Sequence, residues 1–302
     1  MWKQGWNLNK SRKISSSGGI AYALMKSFID SGGYVAACLF ENGKFAFDVT
    51  NDGERIVKFV GSKYVKSDPT DVFERVKELV NNNKVLFIAL PCQVAAMKQY
   101  IGKDKNLITI DLICHGSPDP QMLDCYLKEV GLRINQINDI QFRKKSSYGL
   151  IVDGKRIAVD NTIDDYTYSF IKGLGNTLNC YSCQFATIKR CSDITLGDSW
   201  GTEYKNEEKK GISLILVQTE IGRKLLEKAD IELRDVDLNN SINNNKQLMR
   251  PSVKPREREL FLQLIEKNNG FRKSLLRVAP KATMKRIVKE KMIKTIKKIK
   301  EK

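Results

Sequence analysis

Apolar and polar positions alternate along the chain in two periods, and the switch between them outlines the fold. Residues 20–29 carry apolar side chains at helical spacing between Ser15-Ser16-Ser17-Gly18-Gly19 and Ser31-Gly32-Gly33, which is helix punctuation at both ends. Residues 34–40 and 44–50 read as strands joined by Glu41-Asn42-Gly43-Lys44, with Asn-Gly as the hairpin signal. A helix over 71–81 then leads into 85–90, Val-Leu-Phe-Ile-Ala-Leu, which is apolar on both faces as a buried parallel strand is. The pattern repeats with a helix over 93–101, a second buried strand over 107–113 and a helix over 121–130. Strand–helix–strand–helix predicts an α/β fold, a mixed sheet with a parallel core.

The pattern changes after that. Residues 136–160 show short alternating runs with turns at Ser146-Ser147 and Asp153-Gly154, which predicts an antiparallel insertion. A helix over 165–174, strands over 193–198 and 211–219 and a helix over 222–229 complete a domain expected to span 1–238. The Asn-rich stretch 239–245 reads as a loop or linker, and 239–302 as a helical C-terminal region. From residue 281 the chain is basic and amphipathic, with Met284, Ile287, Val288, Met292, Ile296 and Ile299 on one face.

Composition narrows the class. Of 302 residues 41% are hydrophobic, enough for a folded core, and no apolar run reaches the length of a membrane span. Residues 1–6, Met-Trp-Lys-Gln-Gly-Trp, do not read as a secretory signal, so a cytoplasmic protein is expected. The net charge is +17, of which residues 281–302 hold +8. That tail lacks interleaved aromatic residues, and no recognition motif accompanies it, so a nucleic-acid partner is not expected. Such a segment suits an anionic membrane surface, and peripheral placement at the inner face of the plasma membrane is the matching expectation.

Seven cysteines in a chain of this kind suggest ligands rather than disulfides. Cys92 follows one buried strand in Pro91-Cys92-Gln93, and Cys114 follows the next in Cys114-His115-Gly116. Strand carboxyl ends are where open α/β sheets place ligands. Cys180 and Cys183 form a C-x-x-C. Together the four supply the thiolates of one iron–sulfur cluster or one structural zinc, with Cys191 as a possible substitute. Cys38 and Cys125 read as small buried hydrophobes. His115, the only histidine, is a candidate proton donor beside a candidate ligand. Ser17, Gly18 and Gly19 open a helix and could cradle a flavin pyrophosphate. Ser62, Lys63 and Tyr64 could bind phosphate and stack on a ring, while Asp198 could bond a ribityl chain and Trp200 pack on the ring system. A zinc-stabilised, non-catalytic partner of a membrane-associated biosynthetic complex is the alternative to redox chemistry.

The ordered set S-S-S-G-G, G-S-K-Y-V-K-S, L-P-C-Q-V-A-A-M, D-L-I-C-H-G-S-P, C-Y-S-C-Q-F-A and S-D-I-T-L-G-D-S-W-G resembles the coenzyme F-420 hydrogenase/dehydrogenase beta-subunit family over roughly residues 11–235. The likeness is strongest to its shorter bacterial members from surface-polysaccharide gene clusters. The resemblance implies an oxidoreductase with FAD and a 4Fe–4S cluster. Its cluster cysteines match Cys92, Cys114, Cys180 and Cys183. Its flavin-contacting stretches match Ser17, Gly18, Gly19, Ser62, Lys63, Tyr64 and Asp198. Many members carry a ferredoxin-like segment rich in cysteine, and no such cysteines precede Cys38 here. An external donor such as ferredoxin, or a partner subunit, is therefore expected to exchange electrons with the flavin and an organic substrate.

Overall fold

The computed structural model describes residues 1–267 and 270–300. The chain begins with a strand, β1 (Trp2–Asn7), and a helix, α1 (Ile20–Asp30), and then forms the hairpin β2 (Tyr34–Glu41) and β3 (Lys44–Thr50). Helix α2 (Thr70–Val80), β4 (Val85–Ala89), α3 (Pro91–Ile101), β5 (Leu107–Leu112) and α4 (Pro120–Glu129) realise the predicted alternation. The insertion is a meander of β6 (Ile140–Lys144), β7 (Ser147–Val152) and β8 (Lys155–Arg156), followed by α5 (Asp165–Ile171). Next come β9 (Ile194–Asp198), α6 (Lys205–Glu208), β10 (Ser213–Val217), α7 (Glu220–Glu227), β11 (Ile231–Asp235) and α8 (Leu238–Asn244). The last helices are α9 (Arg258–Glu266), α10 (Phe271–Val278) and α11 (Pro280–Lys300).

Eight strands form one sheet in the order β11-β1-β10-β9-β5-β4-β2-β3, and β6-β7-β8 form a second, antiparallel one. β2, β4, β5 and β9 are mutually parallel; the flanking pairs are antiparallel. This is the mixed sheet with a parallel core that the periodicity predicts. The period of two sorts the core strands: Leu86, Ile88, Ile108 and Ile110 pack toward α1 and α7, whereas Val85, Phe87, Ala89 and Leu107 pack toward α2 and α3. Both faces are covered, so these strands read as continuous apolar runs.

Two features depart from the sequence reading. β1, which local pattern does not announce, inserts between β10 and β11. Residues 239–245, expected as a loop, belong largely to α8. Asparagine is a poor helix former, but here Asp237 caps the helix by accepting from the Asn240 N–H at 2.9 Å. Ile242 then packs with Leu214, Leu216 and Leu248 against the outer face of β10. Tertiary burial and a cap outweigh propensity. Of the basic tail, residues 281–300 are helical, and Glu301 and Lys302 lie outside the described residues.

A candidate redox site at the carboxyl edge of the sheet

β4, β5 and β9 end at one edge and deliver Pro91-Cys92, Cys114-His115 and Asp198 to it. A cavity of about 700 Å³ opens there, a size suited to a nucleotide cofactor. Its wall includes Ser15–17 and Gly19, residues 59–65, Cys114–Ser117, Arg143, Tyr148, Phe170, Asp198 and Trp200.

The region before α1 is built differently from an ordinary serine cap. Gly19 takes the N-cap position at φ 82°, left-handed backbone that suits glycine, and no side chain caps the helix. Ser17 instead donates to Ile212 O at 2.8 Å, and Ser16 Oγ accepts from Ser62 N–H at 2.9 Å. That bond ties the two sequence-predicted cofactor stretches together. Gly18 does not line the cavity. Its N–H donates to Ser213 Oγ, and a Cβ on it would lie 2.4 Å from Gly5 O. Its smallness admits the close approach of β1.

Lys63 and Tyr64 line the cavity but are already engaged. The Lys63 ammonium donates to Phe59 O and Val60 O, and burial pulls its pKa down to about 8. The Tyr64 ring stacks on Phe170 at 4.2 Å between centroids, and burial raises the phenol's pKa.

Asp198 ends β9 and meets Arg143 of β6 in a bidentate pair, both bonds 2.7 Å, with the Arg143 side chain only 4% exposed. Arg143 also donates to Ser16 O at 2.6 Å and to the hydroxyls of Tyr64 and Tyr148. Its guanidinium lies over the rings of Tyr148 and Trp200. Burial opposes the charge on Arg143, but the Asp198 carboxylate more than offsets this and holds its pKa raised. Sequence reasoning found Asp198 and missed Arg143. Only the register of the insertion against the main sheet brings the two together, and an arginine in a basic run carries no local signal of this.

Of the four candidate ligand cysteines, Cys114 lines the cavity, and the other three stand outside its lining but near enough to act on the Cys114 charge. Pro118 and Asn176 form an isolated β-bridge, Thr177 N–H donates to Ser117 O, and Asn176 Nδ2 donates to His115 O. These bonds stitch the segment before Cys180 to the loop carrying Cys114. Gly116, at φ 107°, has no room for a Cβ beneath Asn176. Cys180 and Cys183 lie close enough to Cys92 and Cys114 to oppose their ionisation. Burial pushes the Cys114 thiol up to about 12, against a Gly116 N–H that donates to its sulfur at 3.4 Å, and the other three thiols add to the rise. The Thr177 hydroxyl lies 3.3 Å from the Cys180 sulfur. Four thiols with N–H and hydroxyl groups at their sulfurs are the donor set of a 4Fe–4S cluster or zinc. Among the described residues, no three Cys, His, Asp or Glu side chains already stand in metal-binding geometry.

Of the remaining cysteines, Cys38 also lines the cavity. The Cys191 sulfur lies 3.9 Å from the carbonyl oxygen of Pro91, the neighbour of Cys92, and Asp111, Lys98 and Arg190 act on its charge. Cys38 and Cys125 are half-buried against the apolar cores. His115 lines the cavity and is open to it, yet enough protein surrounds the ring that burial lowers its pKa, with Asp198 opposing the drop.

Comparison with known proteins bears on the fold and the family. No curated protein matches the chain. A chain in the xenon-derivatised structure of the F420-reducing [NiFe] hydrogenase complex from Methanosarcina barkeri has the same fold, with a TM-score of 0.57 at 16% identity over 82% of this chain and 88% of that one. Among the described residues, no helix is long and apolar enough to cross a membrane. The family defined by the C terminus of the coenzyme F420 hydrogenase/dehydrogenase beta subunit matches residues 82–238, both strand-end cysteines and the C-x-x-C included. That match covers more than half of the 302 residues, and the chain belongs to the coenzyme F420 hydrogenase/dehydrogenase beta-subunit family of oxidoreductases.

Proposed function

We propose that the protein is an iron–sulfur flavoprotein oxidoreductase that passes electrons between an external carrier and an organic substrate. One observation carries the reading: Cys114 belongs to both halves of the site, lining the cavity while coupling electrostatically to Cys92, Cys180 and Cys183. A flavin in the cavity would supply hydride and single-electron transfer, and a cluster on the four thiolates would carry single electrons.

The chain's own residues then have defined tasks. Cys92, Cys114, Cys180 and Cys183 hold the cluster, with Gly116 N–H and the Thr177 hydroxyl set at two of their sulfurs. Ser17, Gly19 and Ser62 offer backbone and hydroxyl groups where the cavity meets α1, the position at which a helix start receives a diphosphate. Arg143 and Asp198 fix the wall by binding each other and the Ser16 carbonyl. Trp200 and Tyr148 bring ring faces to the same wall. His115, with no hydrogen bond from its imidazole to any described residue, is the group placed to exchange a proton with a bound substrate.

The external carrier is a ferredoxin or a partner subunit, and the hydrogenase complex in which the similar fold occurs supports a partner subunit. The likeness to members from polysaccharide gene clusters supports a glycan precursor as substrate and a peripheral station at the inner membrane face. Anaerobic purification with an absorption spectrum and iron, sulfide and flavin assays tests the reading. A brown protein with near-stoichiometric iron, sulfide and FAD is expected. A colourless protein that binds zinc at the quartet and no flavin would replace it with the structural-zinc reading.

A further inference from the structure

The C-terminal helix carries its charge pairs inward and its apolar side chains outward. Asp165, buried at the start of α5, accepts from Arg272 of α10 at 2.6 Å and from Arg286 of α11 at 2.7 Å. Arg272 also donates to Glu290 of α11 at 3.0 Å. The Arg286 guanidinium stands 3.9 Å over the Tyr168 ring, and Thr283 donates to Leu275 O. Farther along, Lys289 donates to Asn161 O and Lys297 pairs with Asp160. These contacts recur at helical spacing and clamp one face of α11 to the body.

The opposite face holds Met284, Val288, Met292, Ile296 and Ile299, each between 49% and 68% exposed. Their spacing of four, four, four and three residues confines them to roughly a third of the helix circumference. Ile287, half-buried, is not part of this stripe. Lys281, Lys285, Lys291, Lys294 and Lys298 make no ion pair with any described residue.

We propose that this outer face of α11 is a seat for an anionic lipid surface, with the helix lying in the plane of the interface. The inference makes the peripheral station proposed above specific and is independent of the redox chemistry. Charge complementarity selects the occupant. A stripe of aliphatic side chains among lysines matches acyl chains below anionic headgroups. A second copy would bring two strongly basic faces together, since residues 281–302 carry +8. The inward clamp gives the seat a consequence: α11 is bonded to Asp165 at one end of α5, and Phe170 near the other end lines the cavity. Docking of α11 therefore sets the orientation of the cavity relative to the bilayer.

Co-sedimentation of the full chain with phosphatidylcholine vesicles, with and without phosphatidylglycerol, tests this. Binding only to the anionic vesicles, weakened by salt, is expected. The exposed triple variant Met292→Ser, Ile296→Ser, Ile299→Ser and the variant with Lys285, Lys291, Lys294 and Lys298 changed to Gln should each bind more than about tenfold more weakly. Both should keep wild-type iron and flavin content and circular dichroism. Equal binding to neutral and anionic vesicles, wild-type binding by the triple variant, or a wild-type dimer that the triple variant splits without any vesicle binding would each overturn the proposal. Absence of iron and flavin from the wild type would overturn the redox reading and leave this one standing.

Discussion

At one end of the cavity Arg143 and Asp198 cancel each other's charge through two 2.7 Å bonds, and Ser16, Tyr64 and Tyr148 take up further donors of the guanidinium. Around Cys114 four groups of the same kind converge, and each thiolate formed makes the next harder to form. The first region is electrostatically closed: it holds its geometry by its own attractions. The second is electrostatically open: burial and mutual proximity raise the Cys92 and Cys114 pKa, and the cationic centre proposed above would favour their thiolates. A wall that must stay in place calls for the first solution, and the iron–sulfur or zinc site proposed above would call for the second.

The largest effect is expected at the thiol end. Serine at Cys92, Cys114, Cys180 or Cys183 should each reduce iron and sulfide to background while the fold persists. Alanine at Cys38, Cys125 or Cys191 should leave both at wild-type levels. Full iron in Cys180→Ser would remove the quartet assignment, and loss of iron in Cys191→Ala would bring that residue into it.

At the closed end the effect should be on stability. Arg143→Met strands a mostly buried carboxylate and should cost about 3–5 kcal/mol in denaturant unfolding. Replacing the pair together, with Asp198→Leu added, should recover much of that loss. If the double variant is as unstable as the single one, the pair is not the closed unit described.

Lys63 is the exception at this end, a buried ammonium held only by carbonyl oxygens. Its folded pKa, about 8, lies below the unfolded lysine value, so between pH 8 and roughly 10.5 the unfolded chain binds the extra proton. Stability should therefore rise with pH across that window, by no more than ~3 kcal/mol, and the gain is lost as pH falls through 8. Lys63→Met should abolish that rise; an unchanged pH profile would show that the ammonium is solvated.

The smallest effect separates cofactor contact from packing. Gly18→Ala places a Cβ against Gly5 O and Ser213 N and should cost roughly 1–3 kcal/mol of stability. Gly53→Ala, with nothing within 4 Å, should not destabilise the fold. A Gly18→Ala protein of full stability with weakened flavin binding would restore Gly18 to the cofactor site.

Much of this architecture was legible. The double-faced apolar runs of β4 and β5 identify parallel core strands, and a cysteine follows each at the edge where the cavity opens. Other parts were illegible for physical reasons. β1 exists because β10 and β11 leave a place between them, and Trp2–Asn7 shows no pattern of its own. α8 exists because Asp237 caps it and Ile242 finds a partner. That β1 fills the space beside Gly18 is likewise hidden, because sequence shows an absent side chain without showing which neighbour needs the space.

By itself the sequence determined the residue types and their local periods: the parallel core, the antiparallel insertion, the basic amphipathic tail and the identity of the thiols. Tertiary structure alone decided which groups share a space. It paired Arg143 with Asp198 across two sheets, joined Cys180 to Cys114 through the Pro118–Asn176 bridge, and turned the apolar face of α11 outward. Periodicity is set by each residue's own backbone and nearest neighbours along the chain, whereas these juxtapositions depend on register and packing between segments up to more than a hundred residues apart, which no local pattern encodes.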